Sequence, residues 1–243
     1  MKDYKLLSEK IYERMSVRKY ADIPVAVLDD GKDVIQKFGI VPLFKDIRCK
    51  IVLLKDGEVK NNRSKYCFGF YSDEAGGYLE NVGFMGEQLA LELQALGVGT
   101  CFWGMKRPIG EAYALDGMRC VITMSAGYPE GAGKRTIAEF ERKPLTAISL
   151  KESDEYIEAV RLAPSAINNQ PWLVEKKGNS YNFYMSKPSF FGKLFMGNMR
   201  KIDMGIGISH LFVKAKADGF DVDIKADGQN LPDAAYIATL TLK

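Results

Sequence analysis

The sequence predicts an α+β fold built from two related halves, and three observations carry that prediction. Sliding the chain against itself by 122 residues, half its length of 243, lays Asn81-x-Gly83-x5-Leu89-x7-Gly97 over Asp203-x-Gly205-x5-Leu211-x7-Gly219. The same offset pairs Pro42 with Pro164 and Ile51 with Leu173. Helical stripes and short runs with the look of antiparallel strands alternate in both copies. Between the copies lies a stretch rich in Gly, Pro and charge, residues 127–144, which reads as a linker and divides the chain into halves 1–145 and 146–243.

In chain order, Tyr4, Leu7, Ile11, Tyr12 and Met15 recur at helical spacing and predict a first helix. A second is predicted over residues 33–38, followed by Gly39. Clusters of β-branched and aromatic residues predict strands at 49–54, 66–71 and 120–125, with Lys55-Asp56-Gly57-Glu58 as a turn after the first. Val82, Met85, Leu89, Leu93 and Leu96 mark a long helix, and Gly97 stands where a left-handed residue ends one. In the second half, residues 154–162 read as a helix that Pro164 terminates. Strands follow at 172–176 and 181–185 around the turn Lys177-Gly178-Asn179-Ser180. A second long helix near 202–218, carrying Ile208, Leu211, Phe212 and Ala215 and ending at Gly219, leads to a last strand at 235–242. Gly83, Gly86, Gly205 and Gly207 predict that the long helices approach each other closely, because a glycine inside a helix otherwise costs about 1 kcal/mol relative to alanine.

Composition excludes several functions. With 47% hydrophobic and 27% charged residues the chain reads as a soluble globular protein, and a net charge of +3 from 34 basic and 31 acidic residues argues against nucleic acid or an anionic membrane as partner. No apolar run has the length of a bilayer span, and the start leads into an amphipathic pattern rather than a signal-peptide core. Cys49, Cys67, Cys101 and Cys120 have no CxxC spacing and sit in apolar surroundings, which predicts buried thiols in a reducing cytoplasm. His210 has no second histidine to help it bind a metal, so a packed histidine and no metal site are expected.

Four short motifs carry chemistry. Arg14-Met15-Ser16-Val17-Arg18 offers two guanidinium groups four residues apart and a hydroxyl; placed around a helix C-terminus, they would lie on one side. Each charge-assisted bond from such an arginine to a phosphate is worth about 1.5–3 kcal/mol. Taken alone, the box equally describes a solvated basic face. The run Ala163-Pro164-Ser165-Ala166-Ile167-Asn168-Asn169-Gln170-Pro171-Trp172 is more specific. Its prolines stiffen a loop, its serine and amides supply donors and acceptors, and Trp172 reads as a core anchor. Gly97-Val98-Gly99-Thr100-Cys101-Phe102-Trp103-Gly104 is either a loop passing a ligand or a helix cap entering a strand. It is not a dinucleotide fingerprint, because Phe102 stands where the third glycine would. Gly127-Tyr128-Pro129 and Arg142-Lys143-Pro144 close the first half, where Arg142 and Lys143 taken alone read as solvated linker charges.

Together these motifs resemble the flavin mononucleotide (FMN)-dependent nitroreductase family. In that family the FMN sits at a dimer interface between an Arg/Ser box of one subunit and a Pro-Ser/Asn box of the other. Here the boxes fall in opposite halves of one chain, so the resemblance implies a nitroreductase-like fold in which tandem repeats form a pseudo-dimer around long central helices. It implies FMN contacts from Arg14, Met15, Ser16, Arg18, Cys101, Phe102, Arg142, Lys143, Pro164, Ser165, Ala166, Ile167 and Asn168, with the backbone of Trp103 and Gly104 near flavin N5. At the offset position the first half reads Val41-Pro42-Leu43-Phe44-Lys45-Asp46, and no Arg-x-Ser-x-Arg precedes the helix at 154–162; one flavin per chain is therefore expected.

The implied function is FMN-dependent oxidoreduction. NADH or NADPH gives electrons, and an electrophile such as a nitroaromatic or quinone takes them, in ping-pong order, with the chemistry on the flavin rather than on a side chain. The competing readings are a non-enzymatic FMN-binding or storage module and a cofactor-free scaffold. A small-molecule substrate and a monomer, with weak self-association through other surfaces, complete the expectation. Residues 187–199 carry no ligand signature.

Overall fold

Two antiparallel sheets flank a pair of long central helices in the computed structural model, which describes residues 2–28, 31, 33–55, 57–60, 62–188 and 197–243. Asp56 of the predicted turn and residues 189–196 of the segment without a ligand signature lie outside the described residues. Helix α1 (Tyr4–Ile11) starts at Asp3, whose carboxylate accepts from Leu6 N, and α2 (Val34–Lys37) starts at Asp33, which accepts from Gln36 N. The first sheet contains β1 (Cys49–Leu54), β2 (Tyr66–Ser72), β3 (Gly99–Trp103), β4 (Ala114–Leu115) and β5 (Met118–Gly127). Helix α3 (Tyr78–Ala95) connects β2 to β3. The second half runs α4 (Glu155–Leu162), β6 (Trp172–Lys177), β7 (Ser180–Ser186), α5 (Gly197–Ala217), β8 (Val222–Lys225) and β9 (Ala234–Leu242).

The sheets have the same plan. The first is ordered β1-β2-β5-β3, with β4 pairing β5; the second is ordered β6-β7-β9-β8. In each, two consecutive strands form a hairpin, a long helix follows, and the last strand inserts beside the second. Each insertion shifts register after a phenylalanine, between Phe70 and Tyr71 in β2 and between Phe183 and Tyr184 in β7. Both long helices end with the expected left-handed glycine, Gly97 at φ 76° and Gly219 at φ 91°. Val98 N then bonds Leu93 O at 2.9 Å, as Phe220 N bonds Ala215 O at 3.1 Å.

The two long helices cross at glycines. A Cβ on Gly83 would stand 2.0 Å from Ile202 O, and one on Gly205 would stand 1.9 Å from Glu80 O. Neither position accepts a side chain without the helices moving apart, and the contacts are reciprocal: 80 and 83 on α3 face 205 and 202 on α5. One hydrophobic core runs through both sheets and both helices, with Trp172 among its largest buried side chains as expected. Across the crossing, His210 is fully buried, with Nδ1 2.8 Å from Ala159 O and Nε2 2.9 Å from Glu87 Oε1. All four cysteines are unpaired, and burial pushes the Cys67 and Cys120 thiols up to about 11. No helix among the described residues is long and apolar enough to cross a membrane.

Two expectations need correction, and one left open is decided. The Arg/Ser box does not continue α1, which ends at Ile11; Arg14 pairs with Lys134 and Ser16 with Thr100 in isolated β-bridges. The helical argument for placing Arg14 and Arg18 side by side therefore fails. Extended backbone with its period of two turns Arg14, Ser16 and Arg18 to one side instead. The 97–104 segment, left open between a loop and a strand, forms β3 in the middle. The supposed linker at 127–144 is tied down against the first half by the bridges Tyr20–Pro129 and Arg14–Lys134.

Candidate functional site

Two adjoining cavities lie where the halves meet. The larger, about 530 Å³, is lined by Arg14, Met15, Ser16, Arg18, Lys134, Arg135 and Arg142 from the first half. Pro164, Ser165, Ile167 and Asn168 line it from the second. The smaller, about 220 Å³, shares Ser16, Arg18, Pro164, Ser165 and Ile167 with it. It continues between Cys101, Phe102 and Gly104 on one wall and Ala166, Met199, Ile202, Asp203 and Ile206 on the other. A cationic chamber thus opens into a narrower, more apolar slot.

Arg14 is the most unusual residue here. Only 1% of it is exposed, Nε lies 3.5 Å from Glu87 Oε1, and neither Nη1 nor Nη2 has a protein partner. A buried guanidinium with two unmet nitrogens is costly unless an anion completes it. Nearby, Arg135 donates Nε to Arg14 O at 3.0 Å and lies 3.6 Å from the Phe140 ring centroid. Burial first, and the neighbouring Arg14 next, bring Arg135 down to about 10. Glu139 and Glu141 supply the only acidic side chains of this lining.

Arg142 holds the opposite wall. It donates to Ala163 O at 3.1 Å, Leu162 O at 3.2 Å, Asn168 Oδ1 at 3.0 Å and Glu141 O at 3.0 Å. Four of its five N–H groups are thereby used, so it acts first as a clamp on the Ala-Pro-Ser loop and retains one donor for a ligand. Burial, with Arg135 and Arg14 close by, brings it to about 10. The loop it clamps is strained. Ile167 has φ 48° and Asn168 φ 59°, and Ile167 is 82% exposed at the mouth of both cavities. A β-branched residue in this region costs about 1–3 kcal/mol and occurs where a fixed geometry matters. Ser165 Oγ accepts from Gln170 N at 2.9 Å, and Asp203 Oδ1 accepts from Ala166 N at 3.0 Å.

Two expected residues stand apart. Lys143 lines neither cavity; its Nζ donates to Asn169 O at 2.8 Å and Gln170 O at 3.0 Å, which draws it to the rear of the loop. Trp103 also lines neither: Nε1 donates to Ser125 Oγ at 2.7 Å, and Lys106 Nζ sits 4.2 Å from the ring centroid. Its neighbour Gly104 borders the slot, with a would-be Cβ 2.7 Å from Met199 Sδ. The remaining expected contact residues line one cavity or both. Sequence reasoning missed Arg135, Met199, Ile202, Ile206 and Asp203. The pair Lys134-Arg135 in a glycine-rich stretch was a signal for the first; Met199, Ile202 and Ile206 lie on α5 and look like ordinary helix core, while Asp203 stood out only as the match of Asn81.

The α+β chain shares between its halves a cationic chamber and an apolar slot, a site for an anionic ligand with an apolar part. The comparisons place it further. The model of the family described as "Putative TM nitroreductase" matches residues 6–215, and the chain belongs to that family. Its coarse class is accordingly oxidoreductase. The chain is similar in fold to a crystal structure described as a "putative nitroreductase" from Thermotoga maritima, with TM-score 0.70 and 24% identity over 97% of this chain and 93% of that one. It is also similar to a "Putative NADH Oxidase" from Clostridium acetobutylicum (TM-score 0.41, 15% identity, 58% of this chain and 97% of that one). An "FMN-dependent Nitroreductase" from Clostridium difficile is comparable (TM-score 0.40, 15% identity, 57% and 98%). The search of curated proteins gave no match.

Proposed function

We propose that the paired cavities hold one FMN per chain and that the protein is an NAD(P)H oxidoreductase reducing small electrophiles such as nitroaromatics or quinones. The observation that carries this reading is Arg14, buried with two unpartnered nitrogens at a chamber that also contains Ser16, Arg18 and Arg135. That donor set fits a phosphate dianion, and the adjoining slot fits a flat ring. Arg14, Ser16, Arg18, Arg135 and the last free N–H of Arg142 would hold the phosphate. Pro164, Ser165, Ala166, Ile167 and Asn168 would fix the polar chain and one ring face, opposite Cys101, Phe102 and the backbone of Gly104. When bound, FMN would supply the redox chemistry between donor and acceptor, in ping-pong order. The chain's own residues bind, orient and screen it from water.

The same reading treats the chain as a pseudo-dimer of halves 1–145 and 146–243. The reciprocal contacts at Gly83 and Gly205 support it, since residue i meets j′ and j meets i′ across a two-fold interface. The common strand order supports it as well. Both walls of the site then come from one polypeptide, and a monomer suffices. The unpaired cysteines favour a reducing, cytoplasmic setting.

The test is the absorbance spectrum of the purified protein, followed by stopped-flow mixing with NADH and NADPH. A yellow protein that bleaches and is reoxidised by a quinone supports the enzyme. A yellow protein that neither donor bleaches is a flavin-binding module, and a colourless one that takes up no FMN refutes the proposal.

A further inference from the structure

Asp203 does a job that its counterpart performs without a titratable group. At the offset of 122, Asp203 corresponds to Asn81, and each side chain accepts from the backbone of the loop below it. Asn81 Oδ1 accepts from Leu43 N at 2.7 Å and Phe44 N at 3.0 Å, and its Nδ2 donates to Cys49 Sγ at 3.2 Å. Asp203 Oδ1 accepts from Ala166 N at 3.0 Å, and Ala166 is the offset mate of Phe44. An amide therefore satisfies the holding role. The carboxyl of Asp203 adds a second oxygen: Oδ2 is buried, has no protein partner, and belongs to a residue that lines the slot.

The charges around it do not compensate an ionised carboxylate. Arg200 is one turn away on α5; its Nη1 donates to Asn169 Oδ1 and its Nη2 to Ser186 O and Oγ, while its buried Nε makes no hydrogen bond to Asp203 or to any other group. Arg18, which is exposed, and Cys101, whose thiol burial pushes up, face the slot from the first half. From α3, the Glu80 carboxyl is itself pushed up by burial. Lys201 is exposed beside Arg200. An unpartnered oxygen in such a place is cheaper to bury as O–H than as O⁻.

We propose that Asp203 carries a proton on Oδ2 and serves as the acid of the slot, presenting that proton to the ligand seated there. Burial raises its carboxyl to about 7, with the Ala166 N–H and Arg200 opposing, so the proton is both held and exchangeable near neutrality. This rests on the oxidoreductase reading. Converting a quinone to a quinol takes two electrons and two protons; the nicotinamide donor provides the equivalent of a hydride, Asp203 provides the second proton, and water restores it.

The test is Asp203→Asn in the full chain. Asn81 indicates that asparagine keeps the loop bond, and its amide still donates where the O–H did, so only the transferable proton is lost. Infrared spectra taken across roughly pH 5 to 9 should contain the carbonyl stretch of a buried carboxylic acid. That band should vanish with a midpoint near 7 in the wild type and be missing from D203N. With FMN content unchanged, quinone reduction by D203N should fall about 100-fold and lose its pH-dependent limb near neutrality. Absence of the band in the wild type overturns the proposal, as does a D203N rate and pH profile matching the wild type. If the protein takes up no FMN, the oxidoreductase reading fails, while the infrared band still decides whether Asp203 holds the proton.

Discussion

The helix crossing makes a quantitative prediction about Gly83→Ala and Gly205→Ala. Each substitution places a methyl group about 2 Å from a backbone carbonyl of the other long helix. Ordinary contact requires about 3.4 Å, so the helices must separate by about 1.5 Å locally. Alanine gains about 1 kcal/mol of helix propensity over glycine. Overpacking costs about 1–3 kcal/mol, and a rigid backbone target puts these sites at the upper end. The net expectation is a loss of about 2 kcal/mol for either variant, or about 4–8 °C in Tm for a chain of this size. Because the contacts are reciprocal, the two variants should be destabilised equally. Once one methyl group has parted the helices, the second costs less, so the double variant should lose clearly less than the sum. Thermal or urea unfolding of the four proteins reads this directly. Unequal single effects, or an additive double variant, would refute the reciprocal crossing.

Other outcomes follow from the site. Arg18→Ala should weaken FMN retention about 10- to 150-fold, the equivalent of one charge-assisted bond of about 1.5–3 kcal/mol, with little change in Tm because Arg18 is exposed; equilibrium dialysis measures it, and stoichiometric flavin in this variant and in Arg14→Ala would reject the phosphate box. Arg14→Ala should also destabilise the fold, since it leaves the buried Glu87 with His210 as its remaining hydrogen-bonding partner. Ser165→Ala combined with Asn168→Ala should impair flavin binding although both residues lie across the chain from Arg14; an unchanged affinity and spectrum would speak against a composite site. Sedimentation velocity with flavin quantification should give one FMN per 27.2 kDa monomer; two flavins, or flavin lost as a dimer dissociates, would contradict that.

Much of this architecture was readable because it rests on local periodicity. The stripe through Val82, Leu89 and Leu93, the helices beginning at Asp33 and Asp154, and the glycines after both long helices are short-range signals, and each recurs in the structure. Strand β8 was not readable: Val222-Asp223-Ile224-Lys225 is four residues long, half charged, and held by pairing with β9. The conformation of the Arg/Ser box was misjudged for a similar reason. Its extended form is imposed by Thr100 and Lys134, 84 and 120 residues away from their partners Ser16 and Arg14. Lys143 illustrates the same limit from the other side, because a basic residue next to Arg142 gives no local sign that its ammonium will be taken by the carbonyls of Asn169 and Gln170. Residues of one local motif were found together; residues joined only by tertiary contact, Arg135 above all, were not.

The asymmetry of the halves can be argued at single positions. Where the active side has Ala166 in its loop, the other half has Phe44, whose ring would be 2.6 Å from a Cβ on Gly77. Phe44, Gly76, Gly77, Glu80 and Ala226 line a shallow cavity of about 320 Å³. By the offset of 122, Phe44, Glu80 and Ala226 correspond to Ala166, Ile202 and Gly104 of the slot. A phenylalanine thus fills space that alanine leaves open, and a buried glutamate replaces an isoleucine on the wall. No arginine lines this second cavity. On the proposed function, a cavity without the phosphate box lacks the strongest attraction for FMN, and one without the small residue lacks room for a ring. In a true dimer each such change would damage both sites at once, since both subunits share one sequence. If the chain is the fused pair proposed above, one composite site can be lost while Pro164, Ser165 and Asn168 still serve the other, which is the condition under which Asp203 and Asn81 could come to differ.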